Sequence, residues 1–189
     1  METLGALTDE IRRDINHQWA VRLGNDSIDL QRPRRFISGV AVSSSEPNER
    51  GMGMHAGGAQ LWLPVPLLWN HDYQQPIGLV TMAEAHAQEL RFRAEVSNNG
   101  AHEWIERAWR RINTRFASCV SIGAINLHPD MLWMSVSKWR LNEISVLPRG
   151  ADPGAKIFRC WEESPVVRLG APSVVTHWAR EDMRCVVKL

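Results

Sequence analysis

Three short segments each place a reactive polar side chain within an otherwise apolar, strand-like run: His71 in LLWNHD, Ser121 in SCVSIGA and Glu143 in WRLNEISVLPRGADPGA. Burying an imidazole, a hydroxyl and a carboxylate in or beside a core costs free energy unless they satisfy one another or serve chemistry open to water. Together the three types suit a nucleophile, its base and the group that orients the base. A serine hydroxyl is activated by imidazole, and a carboxylate holds the ring in the right tautomer and stabilises its charged form. Each residue also has a purely structural alternative. Asp72 can be a local hydrogen-bond partner of His71, Ser121 beside Gly123 can mark a bulge or close packing, and Glu143 can face solvent. Spacing alone leaves these alternatives open.

Other chemistries find less support. There is no GxGxxG, Walker loop, HExxH or GxSxG in the chain, so the familiar nucleotide, zinc-protease and esterase signatures are missing. Cys119, Cys160 and Cys185 form no CxxC or Cys/His cluster with metal-ligand spacing, and an odd number argues against a disulfide framework. Reduced thiols, no metal and no cofactor are the expectation. Cys119 lies in an apolar alternating run and reads as a small buried hydrophobe rather than a nucleophile. With 22 Lys and Arg against 21 Asp and Glu the formal charge is +1. The Arg-rich segment before Phe36 lacks aromatic interleaving, so a nucleic-acid partner is the least supported reading.

The chain of 189 residues, 44% apolar and 23% charged, has the length and composition of one globular domain with terminal arms. Its longest apolar stretch, Leu61 to Trp69, contains Pro64 and Pro66 and is too short to cross a bilayer. The start, METLGALTDEIRRD, has acids and bases where a secretory signal needs an apolar region, which points to a cytoplasm-like space.

The elements that must position the three residues read mainly as strands. Residues 8–22 carry a helical apolar pattern, a short helix or arm. RFISGVAVS from Phe36 alternates as a strand, and SSSEPNERGMGMHAGGAQ after it reads as a long surface loop. Leu61 to Trp69, broken by prolines, reads as an extended edge segment. Ile77 to Met82 and Glu89 to Val96 read as two strands joined by a turn. Asn98 or Asn99 can cap a helix with Trp104, Ile105, Ala108, Trp109 and Ile112 on its apolar face. Alternation returns from Phe116 to Ile125, and Met131 to Leu147 supplies one long or two consecutive strands before the turn-rich PRGADPGA. Many strands with one helix inserted favour an antiparallel barrel or sandwich with packed helices over a doubly wound sheet. Of the nine tryptophans, Trp62, Trp104, Trp109, Trp133 and Trp139 read as core residues. Trp69, two residues before His71, is the one expected to line the site and restrict the imidazole.

At these motifs the chain resembles the tailed-phage prohead maturation serine proteases, relatives of the herpesvirus assemblins. The likeness runs from about Phe36 to Phe158 through FISGVAV, PVPLLWNHDYQQPIG, SIG and LNEISVLPRGADPGA, in that order. It implies an α+β chain that is mainly β: an assemblin-like closed antiparallel β-barrel with surrounding helices. It further implies His71 as general base, Ser121 as nucleophile and Glu143 as third member, with Asp72 its competitor. Assemblins use a second histidine in the third position, and the Glu143 motif has none. The opening strand is followed by SSSEPNERGMGM rather than an acidic turn. Backbone N–H groups near Ser121, or Arg140, are the candidate oxyanion donors.

The resemblance implies a serine endopeptidase cleaving the scaffold protein or scaffold-like segments of the major capsid protein, and itself, inside the immature capsid in the host cytoplasm. A homodimer is suggested by the assemblin relationship. Residues 1–34 would then be an N-terminal arm, 35–158 the protease domain and 159–189 a removable tail, or additional strands. The alternative is a catalytically inactive capsid-assembly or scaffolding component that keeps the barrel for protein contacts.

Overall fold

The computed structural model describes residues 32–43, 53–86, 88–127 and 135–164. The helix expected within 8–22, the chain beyond 164, Trp133 and Cys185 lie outside the described residues.

Among the described residues, ten strands and one α-helix follow in chain order. They are β1 (Arg34–Ser43), β2 (Gly53–Met54), β3 (Ala59–Gln60), β4 (Val65–Trp69), β5 (Asp72–Ala85), β6 (Glu89–Val96), α1 (Glu103–Asn113), β7 (Cys119–Asn126), β8 (Ser135–Val136), β9 (Trp139–Leu147) and β10 (Lys156–Glu163). Seven of these strands close on themselves in the order β9-β4-β5-β6-β1-β10-β7, the last pairing back onto β9. Closure leaves no open edge in the ring, so every wall strand has hydrogen-bonded neighbours on both sides. The chain is thus mainly β with a closed barrel and a covering helix, the class expected from the residue pattern. Most pairings are antiparallel, while β4 and the short β3 run parallel to β9.

The wall is built on alternation. Ile37, Leu67, Val80, Leu90, Val120 and Ile144 are completely buried and belong to one core cluster. The helix adds its apolar stripe to that cluster through Ile105, Ala108, Trp109 and Ile112. Each such side chain contributes roughly 1.5–3 kcal/mol of transfer free energy, less for alanine. Polar contacts fix its angle: Trp104 Nε1 donates to the Pro76 carbonyl at 3.1 Å, and Arg35 donates to Glu106 at 2.8 Å while lying over the Trp109 ring. Neither asparagine caps this helix. His102 is the N-cap and makes no side-chain capping bond; its ring stacks instead on Trp104, 4.0 Å between centroids.

Three segments depart from the sequence expectations. Val65–Trp69 is no edge: β4 lies between β9 and β5 with all five residues buried. Pro66 is tolerated there because β4 pairs with β9 only from Leu67 onward, so its missing N–H removes no bond on that side. The expected loop before Leu61 contains β2, β3 and a 3₁₀ turn at Ala56–Gly58, pinned by Trp139 Nε1 donating to the His55 carbonyl at 2.9 Å. Finally, β10 runs to Glu163 and pairs with β1 as far as Arg34, so residues 159–163 of the expected tail are barrel strand. Among the described residues no helix is long and apolar enough to cross a membrane.

Candidate active site

The imidazole is presented by a tight turn. Trp69 pairs with Asp72 at the end of the β4–β5 hairpin, leaving Asn70 and His71 as the two connecting residues. Their φ values are 52° and 60°, the pair of positive angles that a type I′ connection requires. Asparagine adopts this region readily, whereas histidine does so less often. Two hydrogen bonds to β9 hold the turn. The Asn70 N–H donates to the Val146 carbonyl at 3.1 Å, and the His71 N–H donates to Ser145 Oγ at 3.0 Å.

The carboxylate comes from a bulge. Gly123 pairs with Glu143 but Ala124 pairs with Leu141, so Asn142 is an extra residue in β9. Because of it, Trp139 and Leu141 join Ile144 and Val146 in the core cluster. Glu143 and Ser145 then stand on the opposite face of the β7–β9 wall. Ser121 pairs with Ser145 and Gly123 with Glu143, so all four share that face. Although it is outside the barrel core, Glu143 is only 1% exposed and Ser145 is fully buried.

Glu143 Oε1 lies 2.7 Å from His71 Nδ1. Its other oxygen accepts from Ser145 Oγ at 2.8 Å, and the Gly123 backbone N–H donates to the same carboxylate. Burial raises its pKa above the usual carboxylate value, and the Ser145, His71 and Gly123 contacts oppose that rise. With Nδ1 engaged and the His71 side chain 43% exposed, Nε2 is the ring nitrogen left to accept a proton.

Asp72, the competitor, is committed elsewhere. It accepts from the Gln74 N–H and from Gln75 Nε2, both at 2.8 Å, and so secures the irregular start of β5. Arg140 stacks over Trp62 at 4.5 Å. Trp69 belongs to the core cluster, with the Arg111 guanidinium 5.5 Å from its ring.

Three participants, Ser145, Tyr73 and Asn142, escaped the sequence reading, whereas Gly123 was read there as a mark of a bulge or close packing. Ser145 ties the His71 backbone to the Glu143 carboxylate, and its only sequence signal is a hydroxyl in the middle of a buried apolar strand. Tyr73 lies close enough to Glu143 for the carboxylate to add to the burial that raises its phenol pKa. Its Oη accepts from Nδ2 of Asn142, the bulge residue, at 2.7 Å. Gly123 leaves room for the carboxylate, since a Cβ there would stand 2.5 Å from Glu143 Oε1 and 2.8 Å from Cγ. Gly123→Ala is therefore expected to destabilise the fold by about 1–3 kcal/mol through overpacking and to displace Glu143 from His71. A urea midpoint and the downfield Nδ1 proton resonance of His71 read the two effects. An unchanged midpoint with the resonance retained would mean that the wall accommodates the Cβ without moving the carboxylate from His71.

No family model matches the chain. It is similar to the "Capsid polyprotein" of Pseudomonas phage PAJU2, 29% identical over 155 residues, which cover 77% of this chain. The chain spans 23% of the length of that polyprotein. Among solved structures it is similar to KSHV protease in complex with a hexapeptide phosphonate inhibitor, with a TM-score of 0.45, 12% identity, and 66% of this chain and 64% of that chain covered. It is also similar to varicella-zoster virus protease, with a TM-score of 0.43, 12% identity and coverage of 66% and 63%.

Proposed function

We propose that the chain is a serine endopeptidase of capsid maturation, with Ser121 as nucleophile, His71 as general base and Glu143 as the carboxylate that orients it. The observation that carries this reading is the 2.7 Å contact of His71 Nδ1 with a buried Glu143, on the wall face that also bears Ser121. Glu143 keeps the proton on Nδ1 and leaves the Nε2 lone pair free. Nε2 takes the Ser121 proton as Oγ attacks a peptide carbonyl, and returns it to the departing amine. Water, deprotonated by the same nitrogen, then releases the acyl group. Backbone N–H groups near Ser121 are proposed to hold the oxyanion, since the Arg140 guanidinium is stacked on Trp62.

The substrate reading is supported by the similar polyprotein of the phage, of which this chain matches a segment. A capsid polyprotein has junctions to cut, and the proposed substrates are the major capsid protein, its scaffold segments and the enzyme itself, within the immature shell. The proposed protease domain begins at residue 35 and includes β10 to its end, with arms on either side and a removable tail beginning after 164. A homodimer is part of this reading.

The test is intact mass over time for wild type and Ser121→Ala, alone and with the capsid protein. Fragments from wild type that vanish in the folded variant support the reading. Equal fragmentation rejects Ser121, and intact proteins throughout favour an inactive assembly component. Ser145→Ala gives a second expected outcome. Losing its hydroxyl leaves the His71 N–H without its Ser145 acceptor and removes from Glu143 Oε2 a donor that favours the carboxylate. Turnover should fall by up to about 100-fold through misplacement, and the Glu143 pKa should rise further. Glu143 is faced by His71 and Tyr73 from the β4–β5 hairpin and by Gly123 from β7, all of which remain. A ¹³C carboxyl titration of Glu143 identical in the variant and wild type would contradict this role.

A further inference from the structure

The C-terminal end of α1 and the turn after it form a groove of about 420 Å³ lined by Arg107, Arg110, Arg111, Thr114 and Phe116. Arg107 is paired with Glu103 at 3.0 Å, and Glu106, the other acid of the helix, is drawn off by Arg35. Arg110 and Arg111 have no ion pair among the described residues. Cations in a last helical turn suit the helix dipole, but the dipole does not account for the aromatic surface beside them. Phe116 is 64% exposed, and the Arg111 guanidinium lies 5.5 Å from the Trp69 ring and 5.7 Å from the Phe116 ring. The Arg111 guanidinium thus lies against the last residue of β4, the strand that leads into the His71 turn.

We propose that this groove docks an acidic segment of the polypeptide substrate, its carboxylates on Arg110 and Arg111 and an apolar side chain on Phe116. This rests on the endopeptidase reading and adds a substrate class to it: chains that carry an acidic segment with an apolar residue. An exposed aromatic next to unneutralised arginines is the composition of a protein-recognition patch. The cations occupy a single helical turn of a chain whose net charge is only +1, which favours a peptide over a nucleic-acid backbone.

The experiment uses full-chain Ser121→Ala protein, which binds without turnover, and a short fluorescein-labelled peptide rich in glutamate and leucine beside its glutamine counterpart. Anisotropy at low salt should show the glutamate peptide binding roughly tenfold tighter, with the preference shrinking as salt screens it. Arg110→Gln with Arg111→Gln should remove the preference, and Phe116→Ala should weaken both peptides; Arg110→Glu alone, at an exposed position, is the second variant if the double one melts early. Equal binding of the two peptides, or a preference that survives the double variant, overturns the proposal. Tighter binding of a DNA oligonucleotide through the same arginines also overturns it. Cleavage of the capsid protein by wild type, read in parallel, separates the two claims. Cleavage with no glutamate preference defeats the groove alone, whereas the preference without cleavage defeats the endopeptidase reading.

Discussion

Ser121→Ala and His71→Ala are each expected to lower kcat by roughly 10⁶-fold, with the double variant no worse than either single one. The physical reason is that nucleophile and base act as one unit. Without Nε2 the hydroxyl keeps its proton, and without the hydroxyl the imidazole has nothing to activate. Ser121 is on the wall face opposite the barrel core, so its truncation creates no core cavity, and loss of activity will not be loss of fold. Turnover of a labelled peptide spanning a mapped capsid cleavage site, with a thermal melt of each variant, provides the check. Additive losses in the double variant would show that the two residues do not share a step.

Glu143→Gln is expected to cost about 10⁴-fold in kcat while leaving the backbone in place. Glutamine is nearly isosteric, and its carbonyl can still accept from Ser145 Oγ. Its amide would then donate to His71 Nδ1, which puts the ring proton on Nε2 and removes the base. Stability should move the other way at neutral pH. Burial raises the folded pKa of Glu143, so the folded state binds this proton more tightly than the unfolded chain does. The resulting stabilisation is full below the unfolded carboxylate pKa and is lost as pH rises through the raised folded value. Above that value the ionised carboxylate weighs against the fold, and glutamine relieves it. The variant should therefore unfold at higher urea than wild type at neutral pH, with the difference vanishing in acid. A variant less stable than wild type at neutral pH would mean that the His71 and Ser145 contacts outweigh the desolvation.

Much of this site was legible because local chemistry and alternation agree in most of the chain. Glu89–Val96 forms β6 with the expected bounds, and the apolar stripe of residues 104–112 forms the buried face of α1. The His, Ser and Glu residues stood out as polar groups in apolar runs, and two of them are hydrogen-bonded to each other. What escaped the sequence depends on pairing between distant strands. Strict alternation through WRLNEISVL puts Glu143 and Ser145 on the face of Trp139 and Leu141. The bulge at Asn142 separates them, and nothing in the local residues announces it. Ser145 meets His71 only because β4 lies parallel to β9, 74 residues away, and Pro66 argued against a central β4. The committed role of Asp72 likewise required the irregular start of β5 to be seen.

The most direct measurement is labelling of the native protein with a fluorophosphonate, which esterifies a serine only when its oxygen is activated, followed by mass mapping of the adduct. One adduct is expected, on Ser121, forming at least about 100-fold more slowly in His71→Ala, as loss of a general base requires. An adduct on another residue, equal labelling with and without His71, or no adduct on folded protein would contradict it.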